Sequence, residues 1–426
     1  MSPSNKHQTI GKPHARSSDE ALLDLVQRQT FRFFWEGAHP TSGLARDRTG
    51  IEDDPSDDLV AVGGSGFGVM AIIVASARRW IARTEAVERL GATLDFLAGA
   101  RCYHGLFPHY MNGRSGETVA FGRKDDGGDI VETAFLLQGL LCARQYFDGR
   151  DPKERSLRDR ITWLWRDAEW SWHAHNGRNA LTWHWSPNHG WSLDADVRGW
   201  NECLITYILA AASPTFAIDP AVYHNGWAQS RRFINGRRFY DIDLPLGPDF
   251  GGPLFFCHYS FCGLDPRGLT DAYASYLEQN VQHTLINYEH CVRNPKRHKG
   301  YGPDAWGLTA SDDPTGYVAH APDNDTGVIA PTAALSSFPY APPQAMRALR
   351  HFYDVLGDRI WGRFGFVDAF SEGQDWYAKS YLAIDQGPIV AMIENYRSGL
   401  LWRLFMADPD VQTGLKRLGF ESPHMS

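Results

Sequence analysis

Between Cys203 and Ala212 the chain reads Cys-Leu-Ile-Thr-Tyr-Ile-Leu-Ala-Ala-Ala, and Ser213-Pro214 ends the run. A segment apolar on every side predicts a helix enclosed all round rather than one lying on a surface. Such a helix needs a shell of others around it. Helical patterns also recur near 17–35, 66–81, 84–100, 129–147, 153–171, 220–234, 271–293, 326–337, 343–356, 387–406 and 409–418. With the 201–212 run this makes about twelve helices. Strand-like alternation is confined to short pieces near 180–185 and 239–243. The fold class expected is therefore all-α. Two concentric rings of six, an (α/α)6 barrel with short β-hairpins in its loops, satisfy the count; inner helices should be apolar nearly all round and outer ones amphipathic. The 84–100 pattern, with Glu85, Glu88 and Arg89 among its apolar positions, suits the outer ring. An irregular helical array or solenoid would show the same periodicities.

Ser17-Ser18-Asp19-Glu20 has the spacing of a capping box and opens the first helix. Residues 1–17 read as a disordered tail, 18–421 as a single barrel domain and 422–426 as a C-terminal tail. The net charge of −8 argues against nucleic acid as a partner. No stretch is long and apolar enough for a membrane span, and the polar start lacks the core of an export signal. A cytoplasmic location is expected, or a periplasmic one if the natural start lies upstream; oligomeric state is not readable. The six scattered cysteines read as reduced core thiols, with a Cys257–Cys262 bridge as the open alternative.

The acids carry the chemistry. Glu202 stands at the head of the buried run, where burial raises a carboxyl pKa and makes a proton donor; complementing the helix dipole is the plainer role. Asp125-Asp126-Gly127-Gly128-Asp129 leads into a helix with Glu132 in its first turn. Asp385-Gln386-Gly387-Pro388 leads into another, with Pro388 suited to the first helical position. Asp323-Asn324-Asp325 precedes a third apolar stretch. Each cluster alone is explained by capping. If parallel inner helices gather their N-termini at one mouth, the acids converge there, and glycosidic hydrolysis needs one protonated and one ionised carboxyl. The 13% of aromatic residues adds rings suited to sugar faces, although core filling accounts for most large aromatics.

Other chemistries lack their patterns. Gly64-Ser65-Gly66-Phe67-Gly68 misses the spacing of a dinucleotide loop, and close helix packing explains it better. No zinc spacing, complete calcium loop or nucleophile elbow is present. Neither a metal nor another cofactor is expected.

Three segments resemble the bacterial glucoamylase-like family that includes the endo-β-1,2-glucanases of glycoside hydrolase family 144. They are Gly251-Gly252-Pro253-Leu254-Phe255-Phe256-Cys257-His258-Tyr259-Ser260-Phe261 with Leu264-Asp265-Pro266-Arg267-Gly268, then Tyr301-Gly302-Pro303-Asp304-Ala305-Trp306-Gly307-Leu308-Thr309-Ala310-Ser311-Asp312, and Ala383-Ile384-Asp385-Gln386-Gly387-Pro388 with Ile393-Glu394-Asn395-Tyr396-Arg397. Asn201-Glu202 and the 125–132 acids also fit, and the similarity covers about residues 20–420. The resemblance implies an (α/α)6 barrel and an inverting hydrolase of β-1,2-glucan or its oligosaccharides. It implies Glu202 as general acid and Asp385 as general base, with water activated through a substrate hydroxyl. Asp368 is the nearby rival for the base. Asp125, Asp129 and Glu132 then match acidic positions beside the reaction centre. Trp191, His258, Tyr259, Trp306, Asp312 and Tyr377 are the candidate sugar-binding residues, each with core packing as its alternative. An exo-acting, sophorose-releasing enzyme, a hydrolase of another glucan, a phosphorylase, a lyase and a non-catalytic glycan-binding barrel are the other readings.

Overall fold

The computed structural model describes residues 18–52 and 58–425. The expected tail 1–17 and the Ser17 cap lie outside the described residues. Ser18 caps the first helix instead, its hydroxyl accepting from the Ala21 N–H at 3.2 Å. In the first half of the chain come α1 (Asp19–Trp35), α2 (Val62–Ala77), α3 (Arg83–Gly99), α4 (Ile130–Tyr146), α5 (Pro152–Asp167) and α6 (Leu204–Ala212). In the second half come α7 (Pro220–Val222), α8 (Tyr276–Arg293), α9 (Pro331–Leu335), α10 (Pro342–Arg350), α11 (Gly357–Ile360), α12 (Ala383–Arg397), α13 (Leu400–Met406) and α14 (Pro409–Arg417). The strands are two to six residues long and pair antiparallel in small sheets of two or three.

The helices form an (α/α)6 barrel. α12, α2, α4 and α6 follow one another around the inner ring, with α9 packed on the far side of α12. Short 3-10 turns follow at Leu254–Cys257 and Ser260–Cys262, the second packed against α6 and α12. Every residue of α2 from Val62 to Ser76 is buried, as its composition requires. Its glycines set the closeness of the ring. A Cβ on Gly66 would lie 2.1 Å from the Phe135 carbonyl oxygen, and one on Gly139 would lie 2.1 Å from the Gly66 oxygen. The backbones of α2 and α4 touch there, so the glycine run serves helix packing. Outer helices are amphipathic: α5 starts on an Asp151 cap with Pro152 at its first position and buries Leu157, Ile161, Leu164 and Trp165.

Several boundaries differ from the periodicity. The inner run begins at Leu204, because the Asn201 side chain takes the Cys203 N–H at 2.9 Å and closes a turn ahead of the helix. Glu202 therefore stands in that turn. α12 begins at Ala383, which places Pro388 inside the helix rather than at its start. The 220–234 pattern resolves into α7 and a five-residue π-turn, after which Ile234–Phe239 pairs with Ile242–Leu246 as a hairpin. All six cysteines are free. No described helix is long and apolar enough to cross a membrane. Residues near the C-terminus pack down, Glu421 exchanging backbone hydrogen bonds with Thr270.

Candidate active site at the inner-helix mouth

The N-termini of α2 and α4 are tied by a carboxylate. Glu132, in the first turn of α4, accepts the Gly63 N–H at 2.8 Å, and a Cβ on Gly63 would lie 2.4 Å from that oxygen. Asp129 caps α4. One of its oxygens accepts the Val131 and Glu132 N–H groups, each at 2.9 Å. The other accepts the Trp183 indole N–H at 3.1 Å and faces His109 Nδ1 at 3.3 Å. Asp125 lies beside them, 3.2 Å from His184 Nε2. Burial pushes Glu132 up to about 7, and burial with the Asp129 charge pushes Asp125 up to about 6. Burial works against the His109 cation, but Glu132 and Asp129 outweigh it and hold the imidazolium up to about 9. His109, Asp125 and Asp129 offer ligand atoms within 4.8 Å of one another. A protonated His109 offsets part of the charge of Asp129 and Glu132 beside it.

A second group of acids gathers where α12 begins. The strand Arg48–Gly50 pairs with Ser380–Leu382, and the Ala383 N–H donates to the Asp47 carbonyl at 2.9 Å. Asp385, in the first turn of α12, is 2% exposed, and neither of its oxygens meets a donor from backbone or neutral side chain. Its partner is the carboxyl of Asp368, itself buried, which accepts the Asp312 N–H at 2.7 Å. Two carboxyls in contact must share a proton. Both are pushed upward, Asp385 by burial and then by Asp368, Asp368 by burial and then by Asp312. The Asp312 N–H favours charge on Asp368, so the shared proton belongs to Asp385.

Glu202 occupies a third side of the mouth. Ser260 holds its turn, its hydroxyl donating to the Glu202 carbonyl and accepting the Ile205 N–H at 3.0 Å. Part of the residue is open, yet the carboxyl is deep enough that burial pushes it up to about 7. Among the described residues no cation pairs with it. The fields of Glu132 and Asp129 reach it, and the phenol of Tyr259 lies in the fields of both Asp385 and Glu202. The three groups thus lie near enough for their charges to act on one another, with Tyr259 between the fields of two of them. Tyr317, on the hairpin Ala310–Asp313/Gly316–Ala319, is 49% exposed, while its hydroxyl end reaches the fields of Asp385 and Asp368.

The remaining candidates divide. Tyr259 stands at the mouth, and Asp312 is ion-paired with Arg48 at its edge. Trp191 stacks on His175 at 3.8 Å, beside the 39% exposed Trp172, in the loop that flanks Asp125. Tyr377 is half-buried and accepts a hydrogen bond from Arg359, whose guanidinium lies 5.1 Å over its ring. His258 and Trp306 are core residues. The first is sealed against Ser337 at 3.0 Å, and burial brings it down to about 3. The second is fully buried beside Tyr288 and has no face to offer a sugar. Asp325 also leaves the acid set, because His290 at 2.9 Å and Tyr301 at 2.8 Å hold it in a buried cluster of its own. Sequence reasoning missed His109, Arg48 and Tyr317, none of which sits in a distinctive motif. The roomy surface grooves, of about 550 and 570 Å³, lie around Trp163 between α3 and α5 and around Trp80 at the C-terminal ends of α2 and α4, and include none of these acids.

Fold and site together define the class, an (α/α)6 barrel with buried carboxyl groups gathered near the N-termini of its inner helices. The Glycoamylase family model, described as "putative glucoamylase", matches residues 194–409. The chain is 44% identical over 440 residues to an exo β-1,2-glucooligosaccharide sophorohydrolase (non-reducing end) of Parabacteroides distasonis, covering 98% of this chain and 60% of that protein. It therefore spans about 60% of the curated relative's length. An endo-β-1,2-glucanase from Chitinophaga pinensis, solved with sophorotriose and glucose, is 52% identical with a TM-score of 0.94 over 96% of this chain and 100% of its own. A Bacteroides uniformis structure bearing the same description as the family model is 55% identical, with a TM-score of 0.94 over 97% of this chain and 100% of its own. The chain belongs to this glucoamylase-like family.

Proposed function

We propose that this protein, through one catalytic domain at 18–421, hydrolyses β-1,2-linked glucan or its oligosaccharides with inversion at the anomeric carbon. The reading is carried by Glu202, which has no cationic partner among the described residues and whose carboxyl burial raises to about 7, together with the buried Asp385–Asp368 pair, whose charge reaches the same Tyr259. Glu202 protonates the leaving glycosidic oxygen as the C1–O bond breaks. Water attacks C1 and yields a proton, directly or through a substrate hydroxyl, to Asp385. Asp385 passes its own proton to Asp368, so the pair takes up one proton in total. Asp129, Glu132 and Asp125 line the far side and hold sugar hydroxyls, with His109 balancing their charge. Tyr259, Asp312, Trp191 and Tyr377 supply further sugar contacts.

The names of the relatives support the linkage, and they favour two modes of action. The endo-acting relative is the more similar in sequence; the exo-acting one makes sophorose release from a chain end the second reading. Digestion of linear and cyclic β-1,2-glucan, beside β-1,3-, β-1,6- and α-glucans, tests both. Release of reducing ends from β-1,2-glucan without phosphate and without an ultraviolet-absorbing product is expected. Cleavage of the cyclic form marks endo action, whereas sophorose from linear chains alone marks exo action. Binding without turnover on every glucan would sink the enzymatic reading.

A further inference from the structure

We propose that Arg48 is a positioning residue for the proton acceptor, acting through Asp312 to orient Asp368 and to hold negative charge on the Asp368–Asp385 pair. The inference rests on the reading of that pair as the base.

The geometry is a chain of contacts across three separate stretches of sequence. Arg48 Nη1 lies 3.1 Å from Asp312 Oδ1, and Arg48 Nε lies 3.2 Å from Asp47. The Ser380 hydroxyl donates to the other Asp312 oxygen. The Asp312 backbone N–H then reaches Asp368 at 2.7 Å, and Asp368 meets Asp385. The strand that carries Arg48 is paired with the strand that carries Ser380 and runs into α12, so Arg48 is fixed in register with Asp385. The ionisable groups facing the pair are Asp312 and Tyr317 from the hairpin, Arg48 from the first strand, and Tyr259, while Asp47, just ahead of that strand, faces Tyr317. Tyr110 faces Tyr317 and Asp47 from its own strand. Arg48 is the one cation in that company. Its removal takes away an attraction and also leaves the Asp312 charge unmasked beside Asp368, and both effects favour the protonated pair. Arg48 itself does not touch Asp385, which separates this role from that of a proton donor or acceptor.

The test compares Arg48→Met, Arg48→Lys and Asp312→Asn in the full chain. Two measurements are made: the pH–rate profile on β-1,2-glucooligosaccharides, and the infrared band of the protonated carboxyl that Asp385→Asn removes. In Arg48→Met the acidic limb of the profile and the midpoint of the band should both move up by about one pH unit. KM should stay within about twofold. Arg48→Lys, which keeps the charge, should restore most of the shift. Asp312→Asn, which deletes the negative charge beside Asp368 and leaves Arg48 in place, should move the midpoint down, and a merely structural contact would give no such opposite signs. If the band midpoint is unmoved in Arg48→Met, or if KM rises while the profile stays in place, the proposal is overturned. Should Arg48→Met not fold, an unmoved midpoint in Asp312→Asn overturns it equally. A wild-type protein inactive on every β-1,2-glucan, yet with both band shifts as expected, would refute the assigned substrate and leave the positioning role standing.

Discussion

The two ends of the inner ring treat buried acids in opposite ways. At the C-terminal ends of the inner helices, Glu394 of α12 meets Arg78 at 2.7 Å, and Asp408 meets Arg144 of α4 at 2.6 Å. Each charge buried there has a guanidinium beside it. At the N-terminal ends, Glu202 and Asp385 have none, and the one close arginine, Arg48, stops at Asp312. Burying an unpaired carboxylate is costly, so these groups keep protons instead. One end of the barrel spends its acids on stability; the other leaves them titratable. A carboxyl that holds a proton near neutrality is what protonation of a leaving group requires.

The largest expected consequence is on turnover. Glu202→Gln should lower kcat by about 10²- to 10⁴-fold while the helical circular dichroism signal is unchanged; a near wild-type rate would break the contrast between the two ends. The next effect is on the paired end. Arg78→Met leaves Glu394 buried and uncompensated, at a cost of about 3 kcal/mol in urea unfolding, with the pH optimum unmoved. The smallest concerns pH and stability. The Glu202 carboxyl is raised from 4.5 to about 7. The stability it contributes is therefore complete below pH 4.5 and is lost as pH rises through 7. Glu202→Gln abolishes that loss, so relative to wild type it should gain on the order of 1–2 kcal/mol between pH 4.5 and 8, allowing for the open part of the residue. Thermal melts of the two proteins across that range measure the difference. An equal pH dependence would mean that Glu202 is not held protonated by burial.

Much of this arrangement is legible along the chain. α2 and α6 are apolar on nearly all sides, and no local conformation lets such segments face water, so their place in an inner ring follows from composition. The Asp129 cap is equally local, since its partners are the next N–H groups. Glu202 and Asp385 were recognisable as acids at the heads of apolar runs. The start of α6 was less so, because a side-chain bond from Asn201 competes with the helix and periodicity does not register it.

Other features come from contacts between distant residues. Trp306 and Trp191 are the same residue type in comparable loops, yet one is walled in and the other sits at a rim. Arg48 and Asp312 are 264 positions apart and meet because the surrounding strands and hairpin close on one mouth. His109 is an unremarkable histidine until Glu132 and Asp129 flank it. Helix, cap and burial pattern follow from chemistry within a few residues of each position. Which acid keeps its proton depends on desolvation and on charges a few ångströms away, and those distances exist only once the ring has closed.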